Sequence, residues 1–182
     1  MFNRSLEQSS DTAVIGFLNL NPTLSQCLLS DCKHDLNEVT MIIEPVLKAS
    51  SRCHSTPFYI YAVSLGRLAF LTTNLHSEHN KFSTTIPATS WSIGRSLTSG
   101  VHISEPSVSR CHAVIGHHSF SNFFITDVGS RNRTWVNGSM ISPHSRKTLN
   151  DGDVLRFGSV SAEFFSLIRW ERDAAVQDIT YS

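Results

Sequence analysis

From Phe58 onward the chain is written in short apolar or β-branched runs, each ended within a few residues by Ser, Thr, Asn, Gly or Pro. Few runs are long enough for a multi-turn helix, and the turn formers recur too often for alternating strand–helix units. This texture specifies an all-β sandwich or barrel. The expected strands are 58–63, 67–73, 82–86, 90–93, 102–103, 113–117, 123–127, 135–136, 140–141, 154–157 and 163–167, which is the strand content of an eleven-stranded antiparallel β-sandwich. Turn chemistry agrees. Asn137-Gly138 is a strong two-residue hairpin signal, and Asn150-Asp151-Gly152-Asp153 bends the chain ahead of Val154.

The first third reads differently. Asp35-Leu36-Asn37-Glu38 is a D-x-x-E capping pattern, and Leu36, Val39, Ile43 and Val46 follow at steps of three or four. A helix is expected to start there and to kink or end near Glu44, because Pro45 lacks an amide hydrogen and its ring clash costs roughly 3 kcal/mol. A second helix is expected over 23–32, entered through Asn21 and Pro22. With 182 residues, the chain holds one well-cored domain plus an extension. The division expected is a partly helical extension at 1–57, the sandwich at 58–168, and a short polar tail at 169–182, helical around Trp170 and Ala174.

Fifteen Lys and Arg balance fifteen Asp and Glu, so the chain has no general attraction for polyanions and no nucleic-acid partner is expected. The apolar stretch at 57–72 is interrupted by Gly66 and Arg67 and falls short of a bilayer span; no membrane insertion is expected. Cys27, Cys32, Cys53 and Cys111 form no CxxC pair, and the nine histidines form no HExxH or C2H2 pattern. Reduced thiols, a cytoplasmic location, no metal and no cofactor follow as expectations.

Four segments carry the strongest signal when taken in order: Ile93-Gly94-Arg95-Ser96, Ser107-Val108-Ser109-Arg110-Cys111-His112, Asp127-Val128-Gly129-Ser130-Arg131-Asn132-Arg133-Thr134, and Val136-Asn137-Gly138. Leu149-Asn150-Asp151-Gly152-Asp153 and Phe157-Gly158 continue the series. In this order the blocks resemble the forkhead-associated (FHA) domain, whose pattern runs GR, SxxH, D-[LV]-x-S-x-N-G-T, VNG, L-x-x-G-D and FG. The resemblance implies a β-sandwich whose loops, gathered at one end, bind a phosphothreonine peptide in Ser/Thr-kinase signalling.

A phosphothreonine carries about −1.5 to −2 charges and three strong acceptor oxygens, so its pocket needs a fixed cation and hydroxyl or amide donors. By the resemblance, Arg95 contacts the phosphate, where a guanidinium offers a permanent charge and a planar fork. Ser109 donates its hydroxyl, and Arg110 follows where relatives add a polar or cationic contact. Asn132 hydrogen-bonds the peptide backbone, and Arg131 lies near the phosphothreonine and the residues after it. Asn137 either shares that backbone contact or serves the hairpin turn. Gly94, His112, Thr134 and Gly138 are expected to be structural, with His112 tying neighbouring loops together. One position departs from the family: Arg133 stands where glycine is usual, and either tolerates positive φ at about 1 kcal/mol or more or draws the loop into another shape. Two cations around Asn132 would then favour an acidic or doubly phosphorylated peptide.

Two rival readings are weaker. An assembly module with a degraded phosphate site would use the helical first third as its partner surface. An enzyme built on Cys53-His54 or Cys111-His112 fails on geometry, because adjacent residues on an extended strand point to opposite faces. His117-His118 lacks a third ligand at metal-binding spacing.

Overall fold

The strands assemble into two stacked sheets with a layer of helices on the outer face of one of them. This computed structural model describes residues 3–65, 68–75, 83–84, 89–117 and 122–169, with backbone alone for 3–11 and 83–84. The expected helix around Trp170 and Ala174 lies outside the described residues, as does His118. Twelve strands are present: β1 (Tyr59–Leu65), β2 (Leu68–Thr73), β3 (Ser83–Thr84), β4 (Ser90–Gly94), β5 (Val101–His102), β6 (Ala113–His117), β7 (Phe123–Asp127), β8 (Thr134–Val136), β9 (Ser139–Met140), β10 (Arg146–Thr148), β11 (Val154–Phe157) and β12 (Val160–Ile168). One sheet runs β3-β2-β1-β12-β11-β8-β9 and the other β10-β7-β6-β4-β5.

Eleven of these strands coincide with expected ones; the twelfth, β10, is an exposed edge strand of Arg-Lys-Thr with no apolar alternation to announce it. Most pairings are antiparallel, but β1 with β12 and β4 with β5 are parallel. The two-sheet core sits between Ile60, Leu71, Leu155 and Phe164 on one side and Trp91, Ile93, Ile115 and Phe123 on the other. Ser64 Oγ lies 2.6 Å from His117 Nε2, a buried polar bridge between the sheets.

Three helices precede the strands: α1 (Asn3–Leu20), α2 (Pro22–Asp31) and α3 (Leu36–Leu47), followed by a 3₁₀ turn at Ala49–Arg52. Asp35 caps α3 as expected, accepting from the amides of Asn37 and Glu38 at 2.9 and 3.3 Å. Pro22 occupies the first turn of α2, where its missing donor is harmless. The expected break near Glu44 is corrected: α3 continues through Pro45 to Leu47. Only the Met41 carbonyl loses its partner, on a residue that is 54% exposed and open to water, while Val46 beyond the proline is buried. Nothing in the sequence announces α1, which has no capping signal and a polar first half.

The helices cover the outer face of the larger sheet. Val14, Phe17, Leu28, Val39, Ile43 and Val46 pack against Tyr59, Tyr61, Val63, Leu68, Phe70 and Phe165. Alternate residues of β1 therefore point into two different cores, Ile60 and Ala62 inward and Tyr59, Tyr61 and Val63 toward the helices. A strand buried on both faces must be apolar throughout, which is why 59–63 reads as a continuous run. Within the apolar stretch at 57–72 lie β1 and most of β2.

Polar clamps lock the layer. Glu163 Oε1 accepts from the amides of His54, Ser55 and Thr56 in the segment joining helices to sheet. Burial pushes that carboxyl up, but the three amides pull it below its ordinary value. Arg52 pairs with Asp151 at 2.6 Å, with its guanidinium 4.2 Å from the Phe165 ring centre. Arg169 reaches Glu38 at 3.7 Å.

Candidate functional site

Strands β4, β6, β7 and β8 deliver three loops to one rim of the sandwich: 95–100, 103–112 and 128–133. Between them opens a cavity of about 830 Å³ whose walls include Arg95, Ser109, Arg110, Arg131 and Asn132. Sequence reasoning singled out all five. Ser96, Thr98, Ser107 and Cys111 also line it, and only their positions next to the motif residues could have signalled that.

The rim is held by backbone. Arg95 N–H donates to the Ser109 carbonyl at 2.9 Å, and Ser96 N–H to the Arg110 carbonyl at 3.1 Å, zipping two of the loops together. Gly94 makes this approach feasible: a Cβ there would lie 2.2 Å from the Arg110 carbonyl oxygen. The Arg95 side chain is exposed and donates through Nε to the Val108 carbonyl at 3.3 Å. Its two terminal nitrogens have no partner among the described residues, so the fork is aimed but unspent.

Beneath the rim lies a closed network. Asp127 Oδ1 accepts from the amides of Gly129 and Ser130, each at 2.8 Å, and Oδ2 accepts from the hydroxyls of Ser130 and Thr134. Burial pushes this carboxyl up, yet the four donors outweigh burial and hold it below its ordinary value. His112, fully buried, accepts the Ser109 amide at Nδ1 (3.1 Å). Its proton therefore sits on Nε2, which donates to the Arg133 carbonyl at 3.1 Å. An imidazolium cannot accept at Nδ1, and burial likewise pushes the ring below its ordinary value. Thr134 and His112 thus both take part in the buried network beneath the rim.

Ser109 Oγ accepts the Arg131 amide at 3.1 Å, which leaves its hydroxyl hydrogen available to donate outward. Asn132 Nδ2 donates to the Ser107 carbonyl at 2.8 Å, leaving Oδ1 and one N–H uncommitted. Asn137 is different. It and Gly138 both have positive φ, 50° and 75°, as a two-residue hairpin turn requires. Its Nδ2 donates to Asp153 at 2.8 Å and its Oδ1 accepts the Val154 amide at 2.8 Å. Of the two uses left open for Asn137, the geometry carries the turn and not the cavity.

Arg133 adopts φ of 62°, the left-handed conformation that glycine takes without strain. The arginine takes the positive φ and bears its cost. Cys111 is exposed while His112 is buried, so the adjacent pair does face opposite ways. All four cysteines are free thiols. Among the described residues, no group of His, Cys, Asp and Glu gathers as metal ligands, and no helix is long and apolar enough to cross a membrane.

The family model described as FHA domain matches residues 91–158. The FHA domain-containing protein PS1 of Arabidopsis thaliana is 34% identical over 67 residues, covering 36% of this chain and 4% of that protein. The chain thus corresponds to a small part of that relative. Among solved structures, an FHA domain from a study of phosphothreonine-dependent FHA domain interactions is 27% identical, with a TM-score of 0.41 over 50% of this chain and 88% of that one. The N-terminal FHA domain of Rad53p from S. cerevisiae, solved with a phosphothreonine peptide, is 28% identical, with a TM-score of 0.36 over 38% of this chain and 56% of that one. The segment that builds the rim cavity, with its GR, SxxH and asparagine loops in family order, is the part of the chain that the FHA domain model matches.

Proposed function

We propose that the chain binds phosphothreonine-containing partners in Ser/Thr-kinase signalling through the cavity at the sandwich rim. The observation that carries this reading is Arg95: a guanidinium anchored at Nε, with both terminal nitrogens unpaired at the cavity wall beside Ser109. A fixed fork of this kind meets a phosphate through two parallel charge-assisted hydrogen bonds. The Ser109 hydroxyl supplies a further donor, and the uncommitted Oδ1 and N–H of Asn132 suit a peptide backbone, which needs one acceptor and one donor. Arg110 and Arg131 extend the positive wall. The four free thiols suit a reducing compartment such as the cytoplasm.

The folded unit that presents the site includes the helices. Val14, Phe17, Leu28, Val39, Ile43 and Val46 are buried against the chain's own sheet, which leaves the rival assembly reading the outward-facing Ile15, Leu20, Leu36 and Met41 as apolar surface on the described part of this layer. The test is a titration of one peptide in phosphorylated and unphosphorylated forms against wild type and Arg95→Ala. Hydrogen bonds to charged groups are worth roughly 1.5–3 kcal/mol, so the variant is expected to bind the phosphopeptide about tenfold to a hundredfold more weakly. Equal binding of the two peptides by wild type, or equal affinity of the variant, sinks the proposal.

A further inference from the structure

An arginine three residues ahead of a serine or threonine occurs four times in the chain: Arg52 with Ser55, Arg95 with Thr98, Arg131 with Thr134, and Arg156 with Ser159. That spacing is a charge pattern by which arginine-directed Ser/Thr kinases select a hydroxyl, taking the guanidinium into an acidic pocket. A pattern so short recurs by chance, and the surroundings of each pair decide which one a kinase can use.

Three pairs are closed. Arg52 is committed to Asp151 and lies over the Phe165 ring, while the Ser55 amide is held by Glu163. Thr134 is fully buried and donates its hydroxyl to Asp127 at 2.8 Å. Arg156 is stacked on Trp135 and bonded to the Gly158 carbonyl, and Ser159 Oγ lies 2.7 Å from Ser107 Oγ.

The fourth pair is open on both sides. Thr98 is exposed, and its neighbour Leu97 stands 87% exposed at the tip of the 95–100 loop. Arg95 is exposed as well and is bonded only through Nε, to the Val108 carbonyl. Among the described residues the Thr98 side chain bonds only within its own loop, its Oγ1 lying 2.9 Å from Ser96 Oγ. A group added to Thr98 therefore strands no partner in the scaffold.

The position of this hydroxyl gives its modification a consequence. Thr98 and Arg95 line the same rim cavity. A phosphoryl group on Thr98 brings about −1.5 to −2 charges to the wall whose cation a phosphothreonine ligand needs. Two phosphates would then meet in one cavity, and like charges held close together oppose association.

We propose that Thr98 is a phosphorylation site and that phosphate there closes the rim cavity to phosphothreonine ligands. This rests on the phosphothreonine reading of the cavity. In the modifying step Thr98 Oγ1 attacks the γ-phosphorus of ATP held by a Ser/Thr kinase. The new O–P bond forms as the bond from phosphorus to the ADP oxygen breaks, and the hydroxyl proton passes to the kinase's base. A ligand seated in the cavity covers Thr98 and slows the same step.

Two measurements on the full chain test this. In the first, wild type, Thr98→Val and Arg95→Ala are incubated with an arginine-directed Ser/Thr kinase and Mg-ATP, and the phosphate is mapped by mass spectrometry. Wild type is expected to be labelled at Thr98, more slowly when a phosphothreonine peptide is present at saturation, and both variants to lose most of the label. In the second, a chain carrying phosphothreonine genetically encoded at position 98 is titrated with that peptide beside the unmodified chain. The modified chain is expected to bind at least about tenfold more weakly, with an unchanged melting temperature. No phosphate at Thr98, or equal affinity of the two chains, overturns the proposal while the phosphothreonine reading stands. An unmodified chain that binds no phosphothreonine peptide overturns both.

Discussion

The helix-covered face of the larger sheet and the loop rim of the sandwich treat their polar groups in opposite ways. On the covered face the charges that clamp the layer are answered: Glu163 by three amides, Arg52 by Asp151 and the Phe165 ring, Arg169 by Glu38. At the rim the carbonyls and amides are zipped together, yet four guanidiniums are left without carboxylates among the described residues. Beneath them Asp127 and His112 are fully satisfied. The chain spends its pairing capacity on holding the scaffold and withholds it where a ligand enters. An unpaired donor is cheap in water and valuable only when a partner arrives.

The largest test of this contrast is removal of the helical layer. A fragment starting at Phe58 would uncover Tyr59, Tyr61, Val63, Leu68, Phe70 and Phe165, each worth about 1.5–3 kcal/mol of burial, against a total stability of about 5–15 kcal/mol for a typical domain. It is expected to aggregate or fail to fold. Phe17→Ala is expected to cost about 3–5 kcal/mol in urea denaturation, because Phe17 is nearly fully buried in that layer. A soluble 58–182 fragment with wild-type phosphopeptide affinity would show that the covered face is dispensable.

Next in size is Asp127→Ala, which strands four donors beneath the rim. A loss of about 3–5 kcal/mol is expected, with phosphopeptide binding lost alongside stability. Arg95→Ala should do the reverse, lowering affinity without moving the melting temperature by more than a degree or two, since about 0.5 kcal/mol is usual for surface changes. An Arg95→Ala protein that lost stability along with affinity, or an Asp127→Ala protein that lost neither, would erase the distinction between floor and rim.

The smallest effect is on pH dependence. Burial lowers the folded pKa of His112 below its ordinary value of 6.5, so between these values the unfolded chain binds more protons. The stabilisation is complete above about pH 6.5 and erodes as the pH falls, with a slope of at most about 1.4 kcal/mol per pH unit. Asp127, also lowered, adds its loss only below its ordinary value of 3.8. Denaturation midpoints between pH 7 and pH 5 are expected to fall for wild type and to flatten in His112→Gln. Parallel profiles would assign the slope to another group.

Much of the site was legible because it is made of residues whose chemistry is local. Arg95 sits after a glycine that only a close backbone approach requires, and Asn137-Gly138 can turn a hairpin whatever surrounds it. The strands of the smaller sheet other than β10 were legible for a similar reason: β7 alternates Phe123, Ile125 and Asp127 inward with Phe124 and Thr126 outward. Helix α1 was not, since its helicity depends on Val14 and Phe17 finding a sheet to cover. The passage of α3 through Pro45 was missed for the same reason: burial of Val46 offsets a local penalty that a sequence pattern sees alone.

By itself the sequence determined the strand texture, the hairpin, the helix cap at Asp35, and the order of the blocks that mark the FHA family, because each depends on backbone preferences within a few residues. Only the tertiary structure decided that the strands β1 and β2 are buried on both faces, that Asn137 spends its amide on Asp153 and Val154, and that Arg133 accepts a strained backbone while its side chain stays unpaired. Those outcomes depend on which distant groups arrive alongside, and on the free energy of satisfying or stranding them together.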